Sequence, residues 1–160
     1  MVVLRCTRRL LARLKLANNL PDGESSTKLG DWYSNVLQLG RRQYLLFVSE
    51  RSRLPVVIPI REARHLATVF PDAVCAVLAA VGVPAMDIAE ERSRMSEMVF
   101  GRTMNRNLLG TMTDYATMAR HVDARRTEPE TPCLGYNPLR APFCAALLSY
   151  PGPCRRNPHD

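Results

Sequence analysis

The sequence lacks a long uninterrupted run of apolar residues. No stretch reaches the roughly 18 consecutive apolar residues that indicate a membrane span. A secretory signal needs an apolar run of roughly 7–15 residues near the amino terminus. Basic residues interrupt every such run here: Arg5, Arg8, Arg9, Arg13 and Lys15. We therefore expect a soluble, cytoplasmic protein with no membrane partner.

Signatures of metal binding and of common catalytic sites are also missing. The five cysteines are scattered and none forms a CxxC pair, so Cys6 and Cys75 are expected to be buried free thiols. Cys133, Cys144 and Cys154 are spaced about ten residues apart, which fits no compact zinc knuckle. There is no GxSxG, no P-loop, no HExxH and no glycine-rich dinucleotide turn. We expect no metal and no cofactor, and a function that leans away from catalysis.

Acidic residues are outnumbered by basic ones. The chain of 160 residues carries 15 Asp and Glu against 22 Lys and Arg, which gives a formal net charge of +7. Such an excess favours polyanionic partners such as nucleic acid. With 46% hydrophobic residues the chain can build one core.

The pattern of apolar residues predicts β-strands in the first half of the chain. A short strand is expected at 2–5, and the runs DWYSNVLQL, QYLLFVS and LPVVIPI predict an antiparallel meander. Pro55 and Pro59 cannot donate to a ladder, which places the third run at a sheet edge. The segment 97–101, EMVFG, predicts another strand beside the first one.

Helical spacing predicts the remaining elements. We expect helices over 7–16 with Thr7 as N-cap, over 61–81 with a break near Pro71, and over 84–95. A further helix starts near Asn105, and its apolar stripe comprises Leu108, Met112, Tyr115, Ala119 and Val122. The predicted fold class is α+β: an antiparallel-rich sheet of four to five strands covered by three to four helices.

The carboxyl-terminal part differs in composition. Residues 123–160 contain seven of the twelve prolines and three of the five cysteines, with little periodicity. We expect a single α+β domain over 1–122, followed over 123–160 by an extended, Pro-rich, partly docked tail that is disordered near its end.

Three stretches together resemble a known family. They are LGDWYSNVLQLGRRQYLLFVSERSRLPVVIP (29–59), GRTMNRNLLGTMTDYA (101–116) and ETPCLGY (130–136). They are similar to an uncharacterised bacterial family that is defined only as a domain of unknown function and sometimes occurs beside a plasmid-type ORF-3-like domain. The family pattern has Asn where Ser49 and Thr113 stand here, and Ser where Asn107 stands. The resemblance implies no activity.

One group of polar residues is a candidate ligand or anion site. It comprises Asn35, Arg102, Asn105, Arg106 and Asp114. Asn105 opens a helix, and the arginines around it could add charge for an anion. Alternatively Asn105 is a plain N-cap, with Arg106 paired to Asp114 or to a carboxylate at the sheet edge. A capping box from Thr111 to Asp114 could also start the helix later.

The strand carrying Asn35 alternates between two faces. Trp32 is expected to pack in the core and Tyr33 to point to the opposite face, so the two aromatic rings cannot share one base-stacking platform. Asn35 shares the Tyr33 face and needs polar partners there, which Arg102 or the Asn105 loop could supply.

A second group of candidates is basic. These nucleic-acid candidates are Arg8, Arg9, Arg13, Arg41, Arg42, Arg51 and Arg53. The pairs Arg41–Arg42 and Arg51–Arg53 fall in turns at opposite ends of one strand, so they do not form a continuous stripe. The arginines of the first helix could join either pair into a phosphate-contacting patch.

Carboxylates offer little for catalysis. The only cluster, Asp87, Glu90 and Glu91, is expected on an exposed helix face. A metal-dependent nuclease would need carboxylates that converge only through folding, namely Asp31, Glu50, Glu97 and Asp114.

The sequence therefore leaves three functions open. The first is a small non-enzymatic binding protein that contacts nucleic-acid phosphates through its basic clusters. The second is a protein–protein or accessory module of mobile-element origin. The third is an enzyme with a polar site around Asn35, Arg102, Asn105 and Asp114.

Overall fold

Five β-strands form one sheet in the computed structural model, which describes residues 1–16, 23–103 and 105–126. The strands are β1 (Val2–Cys6), β2 (Trp32–Leu39), β3 (Arg42–Ser49), β4 (Pro55–Pro59) and β5 (Met98–Arg102). Their order across the sheet is β4-β3-β2-β1-β5. The predicted meander is confirmed, and β4 with its two prolines lies at an edge as expected.

The sheet is mixed, so the prediction of a mostly antiparallel sheet needs a correction of detail. β2, β3 and β4 pair antiparallel, whereas β1 pairs parallel with both β2 and β5. Tight turns join antiparallel strands, but parallel neighbours need a crossover such as a helix. The helical segment between β1 and β2 supplies one crossover, and the helices between β4 and β5 return the chain to the far side of β1.

Four α-helices accompany the sheet in the described ranges. They are α1 (Arg8–Leu14), α2 (Leu66–Ala80), α3 (Ala85–Arg94) and α4 (Arg106–Arg126), and a 3₁₀ turn over Ile60–His65 precedes α2. The break predicted near Pro71 is wrong, because the change of helix type falls at Leu66 and Pro71 lies inside α2. Pro71 has no N–H, so the Ala67 carbonyl four residues earlier lacks its helical donor, and Ala67 is exposed to solvent.

Each face of the sheet has its own core. On one face Phe70 of α2 contacts Trp32 edge-on at 5.2 Å and Phe47 at 4.8 Å between ring centroids. On the other face Leu108 and Met112 of α4 pack near Tyr33. The expectation that Trp32 is a core residue and that Tyr33 lies on the opposite face is confirmed.

One helical stretch, Ile60–Ala80, is long and apolar enough to cross a membrane by length and composition alone. In this fold the stretch contributes Leu66, Phe70, Val74 and Val77 to the core beneath the sheet. This packing is that of a core helix, and core helices also satisfy the criterion of length and composition.

The last helix runs further than its apolar stripe suggested. α4 continues to Arg126, four residues past the boundary expected after residue 122. The remainder of the expected tail, from residue 127 onward, lies outside the described residues.

Candidate anion-binding cleft

A cleft lies where β1 leaves the sheet. The last β1–β2 pair is Cys6 with Ser34, and the Thr7 N–H donates to the Ser34 carbonyl at 3.1 Å. β2 continues to Leu39, so its edge beyond Ser34 is open on the β1 side. Between this edge, the first turn of α1 and the flank of α4 lies a space of about 460 Å³.

The walls of this space, here called the basic cleft, are of three kinds. Arg8, Arg9 and Arg120 supply positive charge; Thr7, Asn35 and Thr113 are polar; the remaining side chains are apolar, namely Val36, Leu37, Leu46, Met112 and Ala116. No carboxylate is among the lining residues that the structure describes.

Asn35 is held in the cleft wall by two hydrogen bonds to one atom. Its Oδ1 accepts from the Thr7 hydroxyl at 3.0 Å and from the Val36 N–H at 2.8 Å. A backbone N–H can only donate, so this bond fixes which amide atom is the oxygen. The Asn35 Nδ2 has no hydrogen-bond partner among the described residues and is left as a donor.

These contacts correct two predictions. The polar partners of Asn35 are Thr7 and Val36, because β1 ends beside Asn35 and its next residue reaches the amide. Neither Arg102 nor the Asn105 loop supplies them. Thr7 does occupy the N-cap position of α1, but its side chain makes no cap hydrogen bond since its hydroxyl is donated to Asn35.

The three cleft arginines carry uncompensated charge. Arg8 and Arg9 are exposed on the first turn of α1, and Arg120 is exposed on α4. Within the described ranges none of the three forms an ion pair. The charge on this wall is therefore available to an anion.

The start of α4 shows that Asn105 is an N-cap. The Asn105 Oδ1 accepts from the Asn107 N–H at 3.0 Å, which is the geometry of an N-cap. The capping box from Thr111 to Asp114 is wrong, because Thr111 lies inside α4 and its hydroxyl donates to the Asn107 carbonyl. Arg106 makes no ion pair with Asp114.

The predicted ligand group is thus divided by the fold. Asn35 lines the basic cleft, whereas Arg102, Asn105, Arg106 and Asp114 do not. A backbone hydrogen bond from Thr103 N–H to the Cys6 carbonyl, 3.3 Å long, ties the β5–α4 junction to the end of β1.

The basic group is divided as well. Arg8 and Arg9 line the cleft, whereas Arg13 is exposed on the last turn of α1. Arg41 and Arg42 lie at the β2–β3 turn. Arg51 and Arg53 lie at the β3–β4 turn, at the other end of β3. The separation expected between the two turn pairs follows from this topology. Arg120 was missed, because nothing local to α4 distinguishes it from other surface arginines.

Sequence reasoning also missed a buried ion pair. Arg5 Nε donates to Asp31 Oδ2 at 2.7 Å, and both side chains are about nine-tenths buried. Asp31 Oδ1 accepts from the Ser25 N–H, and Arg5 Nη2 donates to the Gly23 carbonyl. The pair fastens the loop before β2 to β1, which is a structural role.

Tyr33 lies beside this pair on the sheet. Burial raises its pKa, and the negative charge of Glu50 adds to the rise. Glu50 and Asp31 do not form a metal site with a third ligand: no group of three or more metal-ligating side chains occurs in the described part of the chain.

The acidic cluster of α3 was predicted to lie on an exposed helix face, which holds for Asp87 and Glu90 but is wrong for Glu91. Glu91 is 3% exposed, and its carboxylate accepts from the Lys28 N–H at 2.8 Å and the Leu29 N–H at 3.1 Å. Glu90 remains at the surface, where it pairs with Lys28 and Arg94. Folding brings the 27–30 loop onto α3, and Glu91 satisfies the backbone donors buried by that contact.

The fold and the cleft define the class of this protein: an α+β domain with a mixed five-stranded sheet and a basic cleft beside its first helix. The chain belongs to the family described as domain of unknown function (DUF6933), whose profile matches residues 3–137. The resemblance to an uncharacterised domain family is thereby confirmed. No curated protein and no solved structure matches the chain significantly.

Proposed function

We propose that this protein is a non-enzymatic binding protein that contacts the phosphate groups of nucleic acid through the basic cleft. The observation that supports this proposal is the joint position of Arg8, Arg9 and Arg120 around one concave space. These arginines have no ion pair, and no carboxylate lines the space, within the described residues.

The choice of phosphate follows from the chemistry of the wall. A guanidinium group presents several N–H donors in a planar fork that matches phosphate oxygens. Phosphate contacts of this kind provide most of the affinity of a protein for nucleic acid without sequence preference. The net charge of +7 adds long-range attraction. The proposal includes a location in the cytoplasm.

Two observations weaken the enzyme alternative. That alternative requires Asn35 to act with Asn105 and Asp114, but Asn105 is engaged as the cap of α4. Asp114 is exposed and does not line the cleft that contains Asn35.

A role as a protein–protein module is the second candidate. Its support is the junction of α2 and α3, where Val81 at the end of α2 is 44% exposed and Met86 in the first turn of α3 is 84% exposed. Exposed apolar side chains of this size favour contact with another chain when they form a patch. Specific co-purifying chains that are lost on Met86→Ser substitution would support this candidate.

The proposal is tested by fluorescence anisotropy with labelled DNA and RNA across a salt series. The variant Arg8→Gln/Arg9→Gln/Arg120→Gln removes three charges from the cleft. The control Arg41→Gln/Arg42→Gln/Arg53→Gln removes three exposed charges elsewhere. We expect the cleft variant to lower the slope of log K against log salt by about 2–3 and the control to change it little.

Two results would contradict the proposal. One is the absence of binding at low salt. The other is an equal loss of affinity in the cleft variant and in the control, which would assign the binding to net charge rather than to the cleft.

A further inference from the structure

We infer that the basic cleft accommodates a single unpaired nucleotide, with its phosphate on the arginines and its base on the apolar floor. This inference rests on the proposed function and narrows it to a ligand class. The source of the nucleotide is either a single-stranded nucleic acid or a free nucleoside phosphate, which share this chemistry.

The size of the cleft favours one nucleotide. Its volume of about 460 Å³ lies in the range of small-molecule sites, roughly 300–1,000 Å³. A duplex is read by a protein element that enters one of its grooves. The cleft is concave and offers no such projecting element to a groove.

The floor of the cleft is apolar and the rim is charged. Leu37 and Leu46 come from neighbouring strands, and Met112 and Ala116 lie one turn apart on α4. Leu37, Leu46 and Met112 are almost fully buried, so the accessible apolar surface of the floor is supplied by Val36 and Ala116, which are half-buried. A flat base can lie against these two side chains while the arginine guanidinium groups, which can stack on bases, lie at the rim. An inorganic anion would not use the floor.

Most of the polar groups of the cleft that remain available are donors. The Asn35 Oδ1 is already occupied by Thr7 and Val36, which leaves Asn35 Nδ2 to donate beside the three guanidinium groups. The hydroxyls of Thr7 and Thr113 donate to Asn35 Oδ1 and to the Leu109 carbonyl, so toward a ligand they can only accept. Such a wall recognises phosphate oxygens and the carbonyl and ring-nitrogen acceptors of a base. In a duplex the acceptors on the pairing edge are engaged, so an unpaired nucleotide fits better.

The test fills the floor without changing charge. Ala116→Leu places a larger apolar side chain in the cleft, and Thr113→Leu fills the same space from an exposed position. Ala89→Leu on the exposed face of α3 is the matched control. The whole chain is used, and circular dichroism checks the folding of each variant.

We expect Ala116→Leu and Thr113→Leu each to weaken binding of a labelled single-stranded 12-mer by about tenfold, the range that loss of one base contact produces. Ala89→Leu should bind the 12-mer as tightly as the wild-type chain does. A duplex of the same sequence should bind more weakly than the single strand, and neither cleft substitution should change its affinity.

Competition separates the two sources of the nucleotide. If nucleoside monophosphates displace the 12-mer better than inorganic phosphate does, the result supports a site for one nucleotide. If they do so at micromolar concentration, the natural ligand is a free nucleoside phosphate. Equal competition by inorganic phosphate would overturn the base contact.

The inference can fail while the proposed function stands. Salt-dependent binding that is equal for single strand and duplex, and unaffected by Ala116→Leu and Thr113→Leu, would overturn the unpaired nucleotide and keep the phosphate contact. Absence of any salt-dependent binding would overturn both.

Discussion

Asn35 illustrates what a single residue gains from its neighbours. An asparagine on an apolar strand face must be satisfied, and here the end of β1 provides the hydroxyl of Thr7 at 3.0 Å. The Asn35 Oδ1 accepts both hydrogen bonds, from Thr7 and from Val36. The oxygen of the amide therefore has a structural role, whereas the Nδ2 remains available to a ligand.

This division leads to a prediction for Asn35→Asp. A carboxylate keeps the two accepted hydrogen bonds and replaces the Nδ2 donor with an oxygen of negative charge. We expect the free energy of unfolding to change by less than about 1 kcal/mol, because the new charge faces arginines at the surface. Affinity for single-stranded nucleic acid should fall at least about tenfold, since like charges repel.

Anisotropy and urea denaturation measure these two effects. Asn107→Asp introduces the same charge at an exposed amide outside the cleft and serves as the control. A loss of stability in Asn35→Asp with unchanged binding would mean that Asn35 is only a structural residue.

At the scale of the element, α4 has a conventional beginning. Asn105 caps it, and its apolar stripe packs on the sheet through Leu108, Met112 and Ala119. The asparagine and arginine residues of its first turn therefore need no ligand to explain them. The charge that α4 contributes to the cleft comes from Arg120, more than three turns later.

We predict that Asn105→Ala destabilises the protein by about 1 kcal/mol, the usual effect of losing an N-cap. Nucleic-acid affinity should not change, because Asn105 does not line the cleft. Thermal or urea denaturation and anisotropy check the two parts. Asn107→Ala is the matched control, since only its backbone N–H takes part in the cap. Reduced nucleic-acid affinity at unchanged stability would mean that Asn105 belongs to a binding site.

For the whole molecule, β1 is the most buried part of the sheet. All five of its residues are buried, and Cys6 lies in the core beneath α1 and α2. Burial raises the pKa of the Cys6 thiol from its ordinary value of 9.0 to about 12. The folded state therefore holds this proton at pH values where the unfolded chain has lost it.

The sign of the pH dependence follows from this shift. The contribution of Cys6 is fully present below pH 9.0 and is lost as the pH rises toward about 12. The free energy of unfolding should fall by up to about 1.4 kcal/mol per pH unit in this window. Urea denaturation at several pH values measures the slope.

Cys6→Ala isolates the effect. Tyr33 and Tyr115 also have raised pKa values, so some loss of stability above their ordinary value of 10.0 remains in the variant. The wild-type chain should nevertheless lose more stability than Cys6→Ala between about pH 9 and 10. Identical pH profiles would contradict the burial of this thiol.

Much of the local structure could be predicted because its causes are local. Runs of β-favouring residues identified β2 and β3, and the two prolines identified β4 as an edge. The faces of Trp32 and Tyr33 follow from the two-residue period of a strand. Asn105 was recognisable as a cap because capping depends on residues two positions apart.

Other features could not be predicted because they join distant segments. Arg5 meets Asp31, and Glu91 meets the backbone at Lys28, only after the loop before β2 folds onto β1 and α3. The break expected at Pro71 failed for a related reason, since packing of α2 on the sheet holds the helix together through the proline.

The amino-acid sequence by itself determined the elements, their buried faces, the excess of positive charge and membership of an uncharacterised family. Only the tertiary structure decided which of the many arginines act together. Arg8 and Arg9 belong to a helix at the start of the chain and Arg120 to one at its end, and a single cleft joins them because α1 and α4 both border the open edge of β2. Charge and periodicity are properties of neighbouring residues, whereas a binding site depends on contacts between elements far apart in the chain.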